Sequence, residues 1–177
     1  MKKSLIPAVT QALAVLCVAL LGGCMKELAE APAPCRPLVI YLALDNNLQV
    51  EYDARMSALR RSWRPGMELW VYADTPSGAT LGRMEATPEG ATLRTVESYG
   101  PENSASSATL ERVLRTVWER SPATGYGLLF FSHATGWLPE GGLQAPLVSR
   151  SIGLDQGSEM SLDAFVSAIP SGMPLDY

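Results

Sequence analysis

Hydrophobic runs alternate with amphipathic stretches between residues 37 and 177, and this alternation predicts the fold. Three apolar runs rich in β-branched and aromatic residues predict strands that are buried on both faces: 38–44, 67–73 and 126–131. Apolar residues spaced three and four apart predict helices in three further stretches: 48–63, 110–118 and about 161–169. Asn103 is predicted to cap the second of these helices. Strands that alternate with helices indicate an α/β domain with a mainly parallel sheet and helices on both faces.

Three segments depart from this alternation. Residues 80–86 and 91–97 flank the turn signal at 87–90, which predicts an antiparallel hairpin outside the main sheet. Residues 134–160 are rich in Gly, Pro and Ser and are predicted to form a long loop. Residues 175–177 are expected to begin a fourth strand, so the domain is expected to be incomplete at its C-terminus.

The amino-terminal residues have the pattern of a secretory signal. Lys2 and Lys3 precede a mostly apolar stretch, and small residues follow it. The sequence Leu21-Gly22-Gly23-Cys24 resembles a bacterial lipobox, and the resemblance implies cleavage before Cys24 and acylation of its thiol and amino group. Two or more acyl chains hold a protein stably at a membrane.

The expected organisation is therefore a signal peptide at 1–23, a lipidated Pro-rich tether at 24–36 and a folded body at 37–177. The mature protein is expected in the bacterial cell envelope, at the outer membrane or cell surface. An uncleaved membrane anchor is the weaker alternative, because the apolar run is slightly short and is broken by Thr10 and Gln11.

The net charge and the cysteine content argue against several kinds of partner and site. The formal net charge is -4, which argues against a nucleic-acid partner. Cys17 falls in the signal peptide and Cys24 would carry lipid, so Cys35 is the one free thiol and no internal disulfide is expected. Cys35 lies in the Pro-rich tether, where a fixed general base is not expected, and this disfavours it as a nucleophile.

Polar residues follow two of the predicted parallel strands. Asp45-Asn46-Asn47 ends the first strand and Ser132-His133 ends the third, and sites in open α/β sheets lie at this carboxyl edge. His133 is the single histidine, and it is either a structural residue or a catalytic one. A metal site is disfavoured because no second His or Cys is nearby. A Ser132–His133 pair is disfavoured because neighbouring strand residues point to opposite faces.

Three features in order resemble the clostripain-like cysteine peptidases, which share the caspase-type fold. They are an opening strand with its Asp-Asn turn at 39–48, a strand and histidine loop at 128–137, and a helix with a strand onset at 158–177. The resemblance covers all of the body. It implies a caspase-like α/β/α sandwich and peptide or protein substrates, cleaved after Arg or Lys by the complete enzyme.

The resemblance also assigns roles to single residues. His133 corresponds to the catalytic partner of a cysteine that should follow the strand onset at 175–177. No residue here matches that cysteine, so the chain alone is expected to be inactive. Ala134 stands where the family has glycine, and its backbone N–H would help to hold the oxyanion. A positive φ at that position would strain an alanine.

Other assignments stay open at the level of sequence. Asp45 and Asn46 either line the site or cap the following helix. Arg150 is either a processing site between histidine and cysteine or a solvated loop residue. No cofactor is expected: some relatives depend on calcium, but the acidic residues form no recognisable calcium loop. The alternative function is a non-catalytic envelope lipoprotein that binds a peptide or a glycan.

Overall fold

A computed structural model describes residues 36–139 and 150–177. The predicted signal peptide, Cys24, Cys35 and the predicted tether up to residue 35 lie outside the described residues. The strands are β1 Leu38–Ala43, β2 Leu69–Thr75, β3 Gly78–Thr87, β4 Gly90–Gly100, β5 Gly127–Phe131, β6 Ala134–Pro139, β7 Arg150–Asp155 and β8 Ser158–Ser161. The helices are α1 Tyr52–Ser62, α2 Ser107–Arg120 and α3 Leu162–Ser167, and a 3-10 turn at Asn47–Glu51 precedes α1.

Five strands form the main sheet in the order β4-β3-β2-β1-β5. The predicted strands β1, β2 and β5 run parallel to one another, with β1 in the middle. Helix α1 packs against one face, and α2 and α3 pack against the other. The predicted α/β class, with helices on both faces of the sheet, is therefore confirmed.

The predicted hairpin exists as β3 and β4, but the prediction that it lies outside the main sheet is wrong. Strand β3 pairs antiparallel with β2, and β4 pairs antiparallel with β3, so the sheet is mixed. Only two residues join β2 to β3, which is too short for the crossover that a parallel neighbour needs. Gly78 permits this tight return because its φ is +108°, where a side chain would be strained.

The prediction of a long loop at 134–160 is also wrong for the described residues of that segment. Strands β6, β7 and β8 form a second, antiparallel sheet in the order β6-β7-β8. Strands β7 and β8 are joined by Gln156-Gly157, both with positive φ (45° and 88°), which is the backbone of a two-residue hairpin turn. Short strands rich in Gly and Ser lack the apolar alternation that sequence analysis detects.

The start of α3 agrees with its predicted position, whereas the cap predicted for α2 does not form. Ser161 caps α3, since its Oγ accepts from the Ala164 N–H at 3.1 Å. Asn103 does not cap α2, because the helix begins after Ser106. The Asn103 side chain instead accepts from the Ala105 N–H at 2.8 Å and forms the turn that leads into the helix.

Residues 174–177 lie beside β5, as the predicted onset of a fourth strand requires. The Tyr126 N–H donates to the Pro174 carbonyl at 2.8 Å, and the Leu128 N–H donates to the Tyr177 carbonyl at 2.7 Å. This pairing is parallel and reaches only the start of β5. The prediction that β5 is buried on both faces is therefore wrong, because Leu129 is 48% exposed.

An aromatic stack crosses the three parallel strands on the α2 face. The Tyr41 ring on β1 lies 4.3 Å from the Tyr72 ring on β2 and 4.9 Å from the Phe130 ring on β5, measured between centroids. The buried Tyr41 hydroxyl donates to the Ser104 carbonyl at 2.9 Å. The stack holds β1 and β5 side by side close to the ends from which the polar residues emerge.

Within 36–139 and 150–177, no helix is long and apolar enough to cross a membrane.

Candidate active site at the carboxyl edge of the sheet

His133 and Asn47 meet at the carboxyl edge of the main sheet. His133 follows β5, Asn47 follows β1, and these two strands are parallel neighbours. The imidazole Nε2 lies 2.5 Å from the Asn47 Oδ1, within hydrogen-bond distance. The histidine side chain is half-buried, and Asn47 is exposed. The edge therefore presents an imidazole that is accessible to a ligand and already has a partner.

The chemistry of this pair follows from the donor and acceptor roles of the two groups. An amide oxygen can only accept a hydrogen bond, so in the neutral ring Nε2 carries the proton. The other ring nitrogen, Nδ1, then has a lone pair and can accept a proton. An imidazole in this tautomer is suited to act as a general base and, once protonated, as a general acid.

Asn46 shapes the loop that carries Asn47. Its Oδ1 accepts from the Leu48 N–H at 2.8 Å, which caps the 3-10 turn. Its Nδ2 donates to the Ala43 carbonyl at 3.1 Å and to the Leu154 carbonyl at 2.7 Å. Of the two roles left open by the sequence, the geometry of Asn46 is that of a cap, and it also ties the end of β1 to β7.

Asp45 has a different contact. Its carboxylate accepts a hydrogen bond from the Gln156 side-chain amide. Gln156 has a positive φ of 45°, a conformation that is uncommon for residues other than glycine, asparagine and aspartate. The half-buried Asp45 is therefore held from the second sheet and does not cap the helical turn.

The second sheet fixes the backbone around His133. The Gly153 N–H donates to the His133 carbonyl at 2.9 Å. The Ser132 Oγ accepts from the Leu154 N–H at 3.0 Å, so this hydroxyl is engaged with β7. Gly153 has a φ of +87°, and a Cβ placed there would lie 3.2 Å from the Phe130 ring. This irregularity in β7 lets the strand approach β5 closely at the histidine.

Solved structures share the fold of this chain, while no family model and no curated protein matches its sequence. A secreted C11 cysteine protease from Bacteroides thetaiotaomicron, in complex with an irreversible peptide inhibitor, has a TM-score of 0.61 and 24% identity over 77% of this chain and 40% of that chain. An inactive zymogen C11 protease from Parabacteroides distasonis has a TM-score of 0.54 and 30% identity over 63% of this chain and 34% of that chain. A cysteine protease from B. fragilis has a TM-score of 0.53 and 25% identity over 64% of this chain and 98% of that chain.

The chain has the fold of the clostripain-like (C11) cysteine proteases. The match spans 40% and 34% of the length of the first two relatives, so this chain corresponds to less than half of each.

Two further residues singled out by the clostripain resemblance can be placed. Ala134 is the first residue of β6 and pairs with Ile152, and positive φ among the described non-glycine residues occurs at Gln156. The backbone strain considered for Ala134 is therefore absent. Arg150 is the first residue of β7, paired with Pro139, rather than a residue in the middle of a loop. Cleavage at Arg150 stays a prediction.

A buried pair of carboxyl groups lies behind the site. Asp74 at the end of β2 and Asp155 at the end of β7 are 1% and 2% exposed. Asp155 Oδ2 accepts from the Ser104 N–H at 2.5 Å, while Asp74 Oδ2 and Asp155 Oδ1 have no hydrogen-bond partner among the described residues. Burial, together with the neighbouring charges of Asp155 and Asp45, raises the pKa of Asp74 to about 7.

The raised pKa of Asp74 predicts that the protein loses stability as the pH rises. The pKa is 3.8 without the fold and about 7 within it, so the native state binds the proton more tightly. The stabilising contribution of that proton is complete below pH 4 and is lost as the pH rises through about 7. Asp74→Asn imitates the protonated form and should raise the free energy of unfolding at pH 8 by roughly 1–3 kcal/mol.

Urea unfolding at pH 5 and pH 8 would measure this effect. Asp74→Asn should stabilise the protein more at pH 8 than at pH 5, and the exposed Glu89→Gln should change neither value. An equal effect of Asp74→Asn at both pH values would show that Asp74 does not titrate in this range.

Acidic residues at this edge do not form a metal cluster in the part of the chain that the structure describes. Within 36–139 and 150–177 there is no group of three or more His, Cys, Asp or Glu side chains arranged to hold a metal ion.

Sequence reasoning missed the roles of Asn47 and Gly153. Asn47 belongs to the Asp-Asn-Asn turn after β1, and its place beside a parallel strand could have drawn attention to it. The role of Gly153 had no signal in the sequence, because it depends on the contact of β7 with Phe130, and β7 falls in the segment predicted to be a loop.

Proposed function

We propose that the chain is the histidine-bearing part of a clostripain-like cysteine endopeptidase that is anchored in the bacterial envelope through Cys24. The observation that carries the proposal is the His133–Asn47 pair at the carboxyl edge of the sheet. The relatives support it, since one of them was solved with an irreversible peptide inhibitor. A peptide or protein is accordingly the proposed substrate.

The proposed reaction uses the imidazole twice. A cysteine thiol gives its proton to Nδ1 of His133, and the sulfur attacks the scissile carbonyl carbon. When the carbon–nitrogen bond breaks, the imidazolium gives that proton to the leaving amine. Water then hydrolyses the thioester and frees the thiol. Residues 36–177 contain no cysteine, so the proposed nucleophile lies outside them. The Ala134 N–H is the proposed oxyanion donor.

A preference for Arg or Lys before the scissile bond is part of the proposal. Three carboxyl groups lie near this edge of the main sheet: Asp45 after β1, Asp74 near the end of β2 and Asp155 at the end of β7 in the second sheet. Their interaction contributes to the raised pKa of Asp74. Negative potential at this edge would favour a cationic side chain over an acidic one.

The proposal is tested with fluorogenic peptides that differ only at the residue before the cleaved bond, namely Arg, Lys, Gln or Glu. The enzyme is the longest natural polypeptide that contains residues 36–177. It should cleave the Arg and Lys peptides at least about 100-fold faster than the Glu peptide, since placing like charges side by side costs several kcal/mol. Absence of cleavage of all four peptides would overturn the proposed activity, and equal rates would overturn the proposed preference.

A further inference from the structure

The turn that carries Asn47 is held in place by hydrogen bonds within the protein. Its neighbour Asn46 fixes the loop through hydrogen bonds to Leu48, Ala43 and Leu154. The Gln49 N–H donates to the Asn46 carbonyl at 3.1 Å, which closes the 3-10 turn on which Asn47 lies. The backbone that carries the Asn47 side chain is therefore fixed before any ligand binds.

Other polar side chains at the edge have contacts elsewhere. The Ser132 hydroxyl is bonded to β7, and the Asp45 carboxylate is bonded to Gln156. The His133 ring thus has a neutral amide as its acceptor rather than a carboxylate. A neutral acceptor orients the ring and selects its tautomer without placing a full negative charge beside it.

We infer that Asn47 is the positioning residue of the catalytic imidazole: its Oδ1 holds the Nε2–H of His133, so that Nδ1 is the nitrogen available to the thiol. This inference rests on the proposed peptidase function for its catalytic meaning. In this role Asn47 acts through the orientation and tautomer of His133.

The tautomer can be measured directly because His133 is the single histidine of the chain. In the full chain labelled with ¹⁵N-histidine, the two ring nitrogens at pH 8 should show a protonated Nε2 and an unprotonated Nδ1. Asn47→Ala should remove the hydrogen bond to Nε2–H and shift both ring signals toward those of a free neutral imidazole, which is a mixture of both tautomers. Asn47→Asp keeps an acceptor oxygen at the same reach and should restore the Nε2–H form.

Two controls separate positioning from a general effect on folding. Gln49→Ala alters an exposed side chain of the same turn and should leave the ring signals unchanged. The far-ultraviolet circular dichroism of all variants should match that of the unmodified chain. A wild-type ring protonated on Nδ1, or an Asn47→Ala ring that keeps the wild-type signals, would overturn the inference.

Kinetics provide a second readout in the longest natural polypeptide containing these residues. Asn47→Ala should lower kcat about 100-fold, as a misplaced catalytic group does, with KM nearly unchanged, and Asn47→Asp should recover most of the loss. A rise in KM alone would overturn the inference. If the unmodified polypeptide cleaves nothing, the proposed function fails while the tautomer measurement still decides whether Asn47 positions the ring.

Discussion

His133→Ala is expected to lower the kcat/KM of the longest natural polypeptide containing residues 36–177 by about 100- to 10,000-fold toward an Arg peptide. The range is the usual contribution of a positioned general acid or base. The substitution removes the group that takes the thiol proton and then protonates the leaving amine. Steady-state kinetics with the fluorogenic Arg peptide would measure the loss.

A matched control distinguishes this loss from misfolding. Ser77→Ala changes an exposed residue in the turn between β2 and β3 and should keep full activity. The 177-residue chain assayed alone should cleave nothing, in line with the expectation from sequence. A His133→Ala variant that keeps most of its activity would remove His133 from the mechanism and, with it, the proposed role of the site.

Cys24→Ser is expected to abolish lipid attachment completely. The predicted acylation uses the Cys24 thiol, and a serine hydroxyl does not replace it. The variant should incorporate no alkyne-labelled palmitate when it is produced in a bacterium that processes lipoproteins. It should also leave the membrane fraction, because the acyl chains are the proposed anchor.

Cys35→Ser is the control for this experiment, since it removes the neighbouring thiol in the predicted tether. It should be labelled and should sediment with membranes as the unmodified chain does. Palmitate labelling that persists in Cys24→Ser and disappears in Cys35→Ser would place the lipid on Cys35 and refute the predicted lipobox.

The sequence predicts the parallel strands and the helices because the spacing of buried apolar residues differs between the two kinds of element. Strands β1 and β2 are continuous apolar runs, and α2 has a clear apolar stripe. The position of the hairpin in the main sheet was not predictable in the same way, because strand order depends on which strand has an edge whose backbone groups are unpaired. Strands β6 to β8 escaped detection because they are short and carry few apolar residues in alternation.

The site was predictable in its position but not in its contacts. Parallel strands bring their carboxyl ends to one edge, and this rule placed His133 near Asp45, Asn46 and Asn47. The rule does not say which of the three side chains meets the ring. That choice depends on the bond from Asn46 to Leu154, which lies 108 residues away in the chain, and on the local bend at Gly153.

Hydrogen bonds between described residues join the backbone on the two sides of residues 140–149. The Gly153 N–H bonds to the His133 carbonyl, and the Ser132 hydroxyl bonds to Leu154. A peptide bond broken between 140 and 149 would therefore leave two pieces that stay associated as a two-chain protein. Insertions at this point, or new termini created there by circular permutation, should likewise leave the imidazole in place.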